Sequence, residues 1–279
     1  MQGRPSICVR GAGGASRRSV GRCWQVSTKP KVSVYKLSSC AGCQLEFLNL
    51  EPVLLDLVGA IEFSYFPMAR RRYEPGPYDI GFVEGAVTCG EEIERLKKAR
   101  QECRVLVALG SCACYGGLPS IKNWTPERVI VSRVYENPAL VHSIKAYGID
   151  EYVQVDAYLK GCPVNKDELV EFIKGTLLGI RPRLRPHSVC VECKLNEYEC
   201  ISVIKREPCM GPVTTAGCGA LCPSRGKACD GCRGPANDAN AESLARTFSE
   251  YGLHRSDIVR RFRKFAGLTQ EFSRGADAV

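Results

Sequence analysis

No stretch of this chain approaches the ~18 consecutive apolar residues that a membrane-crossing helix requires. The pair Arg17-Arg18 lacks the apolar region of roughly 7–15 residues that would make it an export signal. No unit repeats along the chain, which excludes a solenoid. A basic binding face is missing too, although the net charge is +9. Residues 1–30 hold Arg4, Arg10, Arg17, Arg18, Arg22 and Lys29 and no acid, leaving 33 basic against 30 acidic residues for the remainder. A nucleic-acid partner is therefore not expected. That first segment is rich in Gly, Ser and Arg, shows no apolar periodicity, and reads as a disordered tail with only a loose likeness to an organellar transit peptide. With no membrane or secretion signal, a cytoplasmic protein is expected.

What the chain does have is cysteine, 17 in 279 residues. Without a secretion signal, and with length enough for a substantial core, a disulfide framework is a poor explanation, and the odd count fits it badly. Metal ligation is the better one. From residue 31 the pattern alternates. Strand-like runs at 31–37, 78–86, 104–110 and 151–159 are separated by helix-like runs at 44–58, 90–102, 138–148 and 165–179. The last opens on Asn165 with Asp167 and Glu168 in its first turn, as capping and the helix dipole favour. Apolar strands separated by helices predict an α/β domain with a parallel sheet covered on both faces. The alternation breaks at 181–188 (RPRLRPHS), where a boundary between domains 31–185 and 186–279 is expected. Beyond it, residues 190–232 carry eight cysteines among Gly and Pro, a composition that needs bound metal to fold. Two amphipathic helices are expected within 241–267.

The cysteines of the first domain fall at strand ends. Cys40 and Cys43 follow the first strand, Cys112 the run 104–110, and Cys162 the run 151–159. In an open parallel sheet all strand carboxyl ends share one edge, where ligands bind, so four distant thiols converge. Gly42, Gly110 and Gly161 beside them let the backbone approach a bulky inorganic group. The second constellation runs C-x2-C-x6-C-x8-C-x8-C-x3-C-x6-C-x2-C from Cys190 to Cys232, enough donors for two four-thiolate sites. Spacing alone leaves open a [4Fe-4S] cluster or a structural zinc at each place. Cys162-Pro163 and Cys222-Pro223 resemble the Cys-Pro common at iron–sulfur ligands and lean toward iron.

The motifs SSCAGCQLEFL (38–48), VEGAV (83–87), LGSCACYGG (109–117), LKGCP (159–163) and CMGPVTTAGCGALCPSRGKACDGCRGP (209–235) together resemble the small, electron-transferring subunit of [NiFe] hydrogenases. The likeness is to the cytoplasmic branch whose partners are NAD(P)-, ferredoxin-, F420- or heterodisulfide-reductase-linked modules. It covers roughly residues 31–270. It implies a flavodoxin-like parallel-sheet N-terminal domain with a proximal cluster, and a smaller, irregular, mainly helical iron–sulfur C-terminal domain with medial and distal clusters. Carried over by position, Cys40, Cys43, Cys112 and Cys162 would hold the proximal [4Fe-4S]. Cys218, Cys222, Cys229 and Cys232 would hold the medial one, and Cys190, Cys193, Cys200 and Cys209 the distal one. In exported relatives the distal set begins with a histidine where Cys190 stands, and a proline near Cys222 leaves a three-iron medial cluster. The nickel-binding R-x-C-G-x-C context is missing here, so the hydrogen-activating site belongs to a partner large subunit. The complex I relatives resemble the N-domain but use adjacent cysteines and lack the eight-cysteine segment; a single-cluster carrier of that kind, or a zinc-stabilised interaction module, are the alternatives. Three four-thiolate [4Fe-4S]²⁺ sites at about −2 each would cancel most of the +9.

The other candidates read as structural. Cys103 and Cys114 are expected to pack, Cys89 to be a buried or capping thiol, and Cys8 and Cys23 to lie free in the tail. Glu84 is expected to hydrogen-bond near the first cysteine set. His142 reads as surface, His187 as a non-ligand beside Cys190, and Arg70, Arg71 and Arg72 as a solvated loop.

Overall fold

A computed structural model describes residues 29–51, 53–180, 182 and 185–279. It also describes the backbone of two three-residue strands, β1 (Ser6–Cys8) and β2 (Cys23–Gln25), which pair antiparallel. The expected disordered tail over 1–30 otherwise falls outside the described residues, as do the side chains of Cys8 and Cys23.

Five parallel strands form the sheet: β3 (Lys31–Lys36), β4 (Glu62–Tyr65), β5 (Tyr78–Glu84), β6 (Cys103–Leu109) and β7 (Ala157–Leu159). Their spatial order is β4-β3-β5-β6-β7, which in order of appearance is 2-1-3-4-5, the flavodoxin-like arrangement. The inner strands are buried on both faces, as apolar runs such as Phe82-Val83 and Leu106 to Leu109 require. One face is covered by α1 (Gly42–Leu48), α2 (Leu54–Ala60) and α6 (Lys166–Leu178). There Phe47 meets Phe63, Phe66 and Phe82 edge-on at 6.0, 5.9 and 5.1 Å, and Phe82 meets Phe172 at 6.0 Å. The other face is covered by α3 (Gly90–Glu102) and α4 (Gly110–Tyr115) over Val83, Leu96, Leu106 and Ile149.

The expected α/β class holds, with local differences. The run 44–58 is two helices, because Pro52 lacks the backbone donor needed to continue the first. The run 138–148 is not a helix. After one 3₁₀ turn, Pro138–Leu140, the chain extends and Tyr147 pairs with Val87. Its amides have tertiary partners instead: Ile144 N–H donates to Thr88 O at 2.8 Å and Ala146 N–H to Asn123 Oδ1 at 2.8 Å. The run 151–159 keeps only three strand residues. Strand β4 and helix α5 (Glu127–Val134) lack a sequence signal strong enough to stand out. Asn165 caps α6 as expected, accepting from the N–H groups of Asp167 at 2.8 Å and Glu168 at 3.1 Å.

Past residue 188 three short helices, α7 (Val189–Leu195), α8 (Ile201–Lys205) and α9 (Leu221–Ser224), carry an otherwise irregular chain. Its apolar support comes from α10 (Ala241–Glu250), α11 (Arg255–Arg263) and α12 (Gln270–Asp277), the last lying beyond the two helices expected there. Val189, Met210 and Val213 pack with Phe248, Ile258, Phe262 and Phe272 into one buried cluster.

Candidate metal centres

The first quartet gathers at the carboxyl edge of the sheet beside the β3/β5 switch point, where such sheets bind ligands. Cys40 and Cys43 stand at the start of α1, Cys112 in α4, and Cys162 just past β7. Cys40, Cys112 and Cys162 line one cavity of about 870 Å³ together with Ser38, Glu92 and Leu118. Cys43 is buried beneath it, and Gly110 leaves it room: a Cβ there would collide with the Cys43 sulfur, and the φ of +83° suits glycine. Glu84, at the end of β5, is buried and fully used. It accepts from the Cys43 N–H at 3.0 Å and from Gln44 Nε2 at 2.7 Å, the hydrogen-bonding role expected of it.

Burial dominates the electrostatics of the quartet, and the thiols' nearness to one another and to Glu84 adds to it. Burial pushes the Cys112 thiol up to about 12, and Cys162 and Cys40 add to it. Burial also raises Cys43, seconded by Glu84, and raises Cys162, seconded by Cys40. Thiols this crowded ionise only against a compensating positive core, which an inorganic cluster supplies.

The eight later cysteines act on one another along the whole segment. Burial and then Cys209 and Cys200 hold Cys190 at about 11; burial and then Cys190, Cys209 and Cys200 do the same for Cys193. The Cys190 and Cys209 sulfurs lie 3.5 and 3.4 Å from one point, where a Gly211 Cβ would stand. Cys222 is raised by burial and then by Cys218. Cys232 is raised by burial to about 11, with Cys218, Cys162 and Cys222 as its thiol neighbours. Cys229, the most buried, is raised by burial and feels Cys209, Cys232 and Cys222; its N–H donates to the Cys209 sulfur at 3.3 Å. Cys162 adjoins Cys232, and Cys229 adjoins Cys209. Among the described residues no three Cys, His, Asp or Glu side chains meet at a point one metal ion could occupy.

Three charged residues missed by the sequence reading hold this region. Glu192, between Cys190 and Cys193, accepts from Arg185 Nη1 at 2.7 Å and from the N–H groups of Gly217 at 2.9 Å and Ala220 at 3.1 Å, fixing the loop that bears Cys218. Asp230, inside the C-x-x-C of Cys229 and Cys232, is paired with Lys264 at 3.0 Å and with Arg261. Arg233 follows Cys232 and is buried. The signal for all three is placement: a charge inside or beside a ligand spacer has little water to face. Of the residues read as bland, Cys103, Cys114, His142, Arg71 and Arg72 are so placed, while Cys89 and Arg70 differ. Cys103 is buried beside Ser33 Oγ at 3.4 Å, and the buried Cys114 thiol donates weakly to the Ala108 and Leu159 carbonyls. Cys89 is half-buried at the N-cap of α3 without a side-chain capping bond, His142 is exposed, and half-buried His187 contacts the Ser188 carbonyl. Arg71 and Arg72 are exposed, whereas Arg70 donates to the Phe63 carbonyl.

A parallel sheet ending in cysteines, joined to a cysteine-rich helical appendage, defines a two-part α/β protein with thiols gathered for metal binding. Comparison with known proteins agrees. The family model "NADH ubiquinone oxidoreductase, 20 Kd subunit" matches residues 40–176. Sulfhydrogenase 2 subunit delta of Pyrococcus furiosus is 38% identical over 237 residues, covering 85% of this chain and 99% of that one. A chain of the F420-non-reducing hydrogenase of Methanocaldococcus jannaschii is 29% identical over 270 residues, covering 84% and 94%. Among solved structures, a chain of NAD⁺-reducing [NiFe]-hydrogenase in the H2-reduced state matches with a TM-score of 0.52 at 30% identity, covering 56% of this chain and 95% of that one. This chain belongs to the family of hydrogenase small subunits: an oxidoreductase component that transfers electrons beside a large subunit. Among the described residues no helix is long and apolar enough to cross a membrane.

Proposed function

We propose that this chain wires a cytoplasmic [NiFe] hydrogenase through three [4Fe-4S] clusters. Cys40, Cys43, Cys112 and Cys162 hold the proximal one. Cys218, Cys222, Cys229 and Cys232 hold the medial one, and Cys190, Cys193, Cys200 and Cys209 the distal one. The division falls between domains 31–185 and 186–279. What supports this reading is the continuity of the thiols from the sheet into the appendage, with Cys162 beside Cys232 and the Cys229 N–H donating to the Cys209 sulfur at 3.3 Å. When bound, such clusters take and release single electrons at potentials set by burial, charge and hydrogen bonds to sulfur.

The chain's own groups then have defined tasks. Glu84 orients the Cys43 segment, Glu192 the Cys218 loop, and Asp230 the Cys229 and Cys232 turn. Cys40, on the open side of the 870 Å³ cavity, faces the place where the large subunit with its Ni-Fe site would dock. Cys200 is exposed, and near it in sequence Leu195, Val203 and Ile204 are 77%, 72% and 61% exposed. Exposed apolar side chains in the segment of a redox ligand suit docking of an acceptor module, NAD(P)-, ferredoxin-, F420- or heterodisulfide-reductase-linked. The test is elemental analysis of anaerobically isolated protein. About twelve iron and twelve sulfide per chain are expected for three four-iron sites; about four iron, or zinc in place of iron, overturns the reading.

A further inference from the structure

We propose that Arg233, held by Glu168, is the positioning residue that sets the spacing between the first quartet and the Cys232 end of the second. The proposal rests on the three-cluster reading.

Arg233 is only 3% exposed, yet all three of its guanidinium nitrogens donate hydrogen bonds. Nη2 donates to Glu168 Oε1 and Oε2 at 2.8 and 2.7 Å, Nη1 to the Lys160 carbonyl at 2.7 Å, and Nε to the carbonyls of Ala216 at 2.8 Å and Thr215 at 3.2 Å. One side chain thus ties together three segments distant in sequence. The first is the turn two residues before Cys162, the second is the first turn of α6, and the third is the strand-like stretch leading into Cys218. Its own backbone follows Cys232. Two further bonds cross the same seam: Ser111, next to Cys112, donates to the Cys232 carbonyl, and Tyr115 Oη donates to the Arg233 carbonyl at 3.4 Å. Gly217 completes the fit, since any Cβ there would overlap Glu168 Oε1 and crowd the guanidinium.

An apolar filler could bury this volume as well or better, because a buried ion pair is weak support for stability. What the pair does supply is geometry. Arginine offers five N–H donors in a rigid planar fork, and lysine cannot direct its three to the same carbonyls. The fork fixes the angle and separation of two backbones that each bear a ligand cysteine. Burial pushes the Glu168 carboxyl up against the downward pull of Arg233, so the clamp costs solvation to maintain. The passage between quartets is built where Cys162 and Cys232 adjoin, and of the side chains that cross it Arg233 makes the most bonds.

The test uses the intact hydrogenase complex carrying Arg233→Lys, and in parallel the milder Glu168→Gln. The readouts are iron per chain and the magnetic interaction between the two reduced clusters in electron paramagnetic resonance, which depends on their separation and orientation. Both variants should keep full iron. Lysine should visibly alter the interaction splitting and slow electron passage across the seam about tenfold or more, with glutamine intermediate. Full iron with a wild-type interaction spectrum in both variants overturns the proposal. So does iron loss in both, which would make the clamp a retention device rather than a spacer. If lysine alone loses iron, the glutamine spectrum decides. A wild-type complex without the two interacting signals overturns the cluster reading itself, a result distinct from any behaviour of the variants.

Discussion

The two cysteine-bearing regions are built on opposite plans. The first quartet stands on the ends of strands whose own core, Val32, Val34, Phe47, Phe82 and Phe172, would close whether or not metal were present. The eight later cysteines sit on helices of four to seven residues and on turns, and their apolar support is borrowed from α10 to α12. Short helices of this kind have no stability alone. Pre-organised donors on a sheet should therefore survive metal loss, while donors on loops should not.

Removing metal with a chelator under reducing, oxygen-free conditions should break the comparison open most widely. Amide hydrogen exchange should show residues 190–232 losing protection while β3, β5 and β6 keep theirs. Equal loss in both regions would mean that the sheet also depends on metal. A smaller but still large effect is expected from single core truncations. Phe262→Ala should destabilise the C-terminal helices by about 3–5 kcal/mol, and Phe47→Ala the sheet by a similar amount. In thermal melts followed by calorimetry, each should lower the transition of its own region. Glu84→Gln removes a charge-assisted bond to the Cys43 N–H and should cost about 1–3 kcal/mol. It should reduce occupancy of the first quartet alone, read as a loss of up to about four iron per chain. Asn165→Ala, which strips two capping bonds from α6, should cost only about 1 kcal/mol by chemical denaturation and leave iron content unchanged.

The same contrast explains what could be read from the sequence. Strand ends in a parallel sheet are predictable from alternation alone, so the convergence of Cys40, Cys43, Cys112 and Cys162 was legible in the residues themselves. The division of the eight later cysteines needed the resemblance, because spacing gives a donor count and not a partition. The helix expected at 138–148 failed because Thr88, Val87 and Asn123 offer its backbone partners that a local pattern cannot show. Arg233, Glu192 and Asp230 were hidden for a related reason. In a linear text a charge among glycines and prolines reads as solvated, and only the folded chain shows that each has carbonyls, amides or counter-charges around it.

The grip of α11 on Asp230 has a consequence for biogenesis. Lys264 and Arg261 leave the ribosome some thirty residues after the turn they clasp, whereas the sheet and its quartet are complete well before. During synthesis the nascent polypeptide thus presents a finished acceptor edge followed by an unlatched, thiol-rich arm. The arginine-rich helix thus acts as a catch that can close on this turn only once the rest of the arm has emerged.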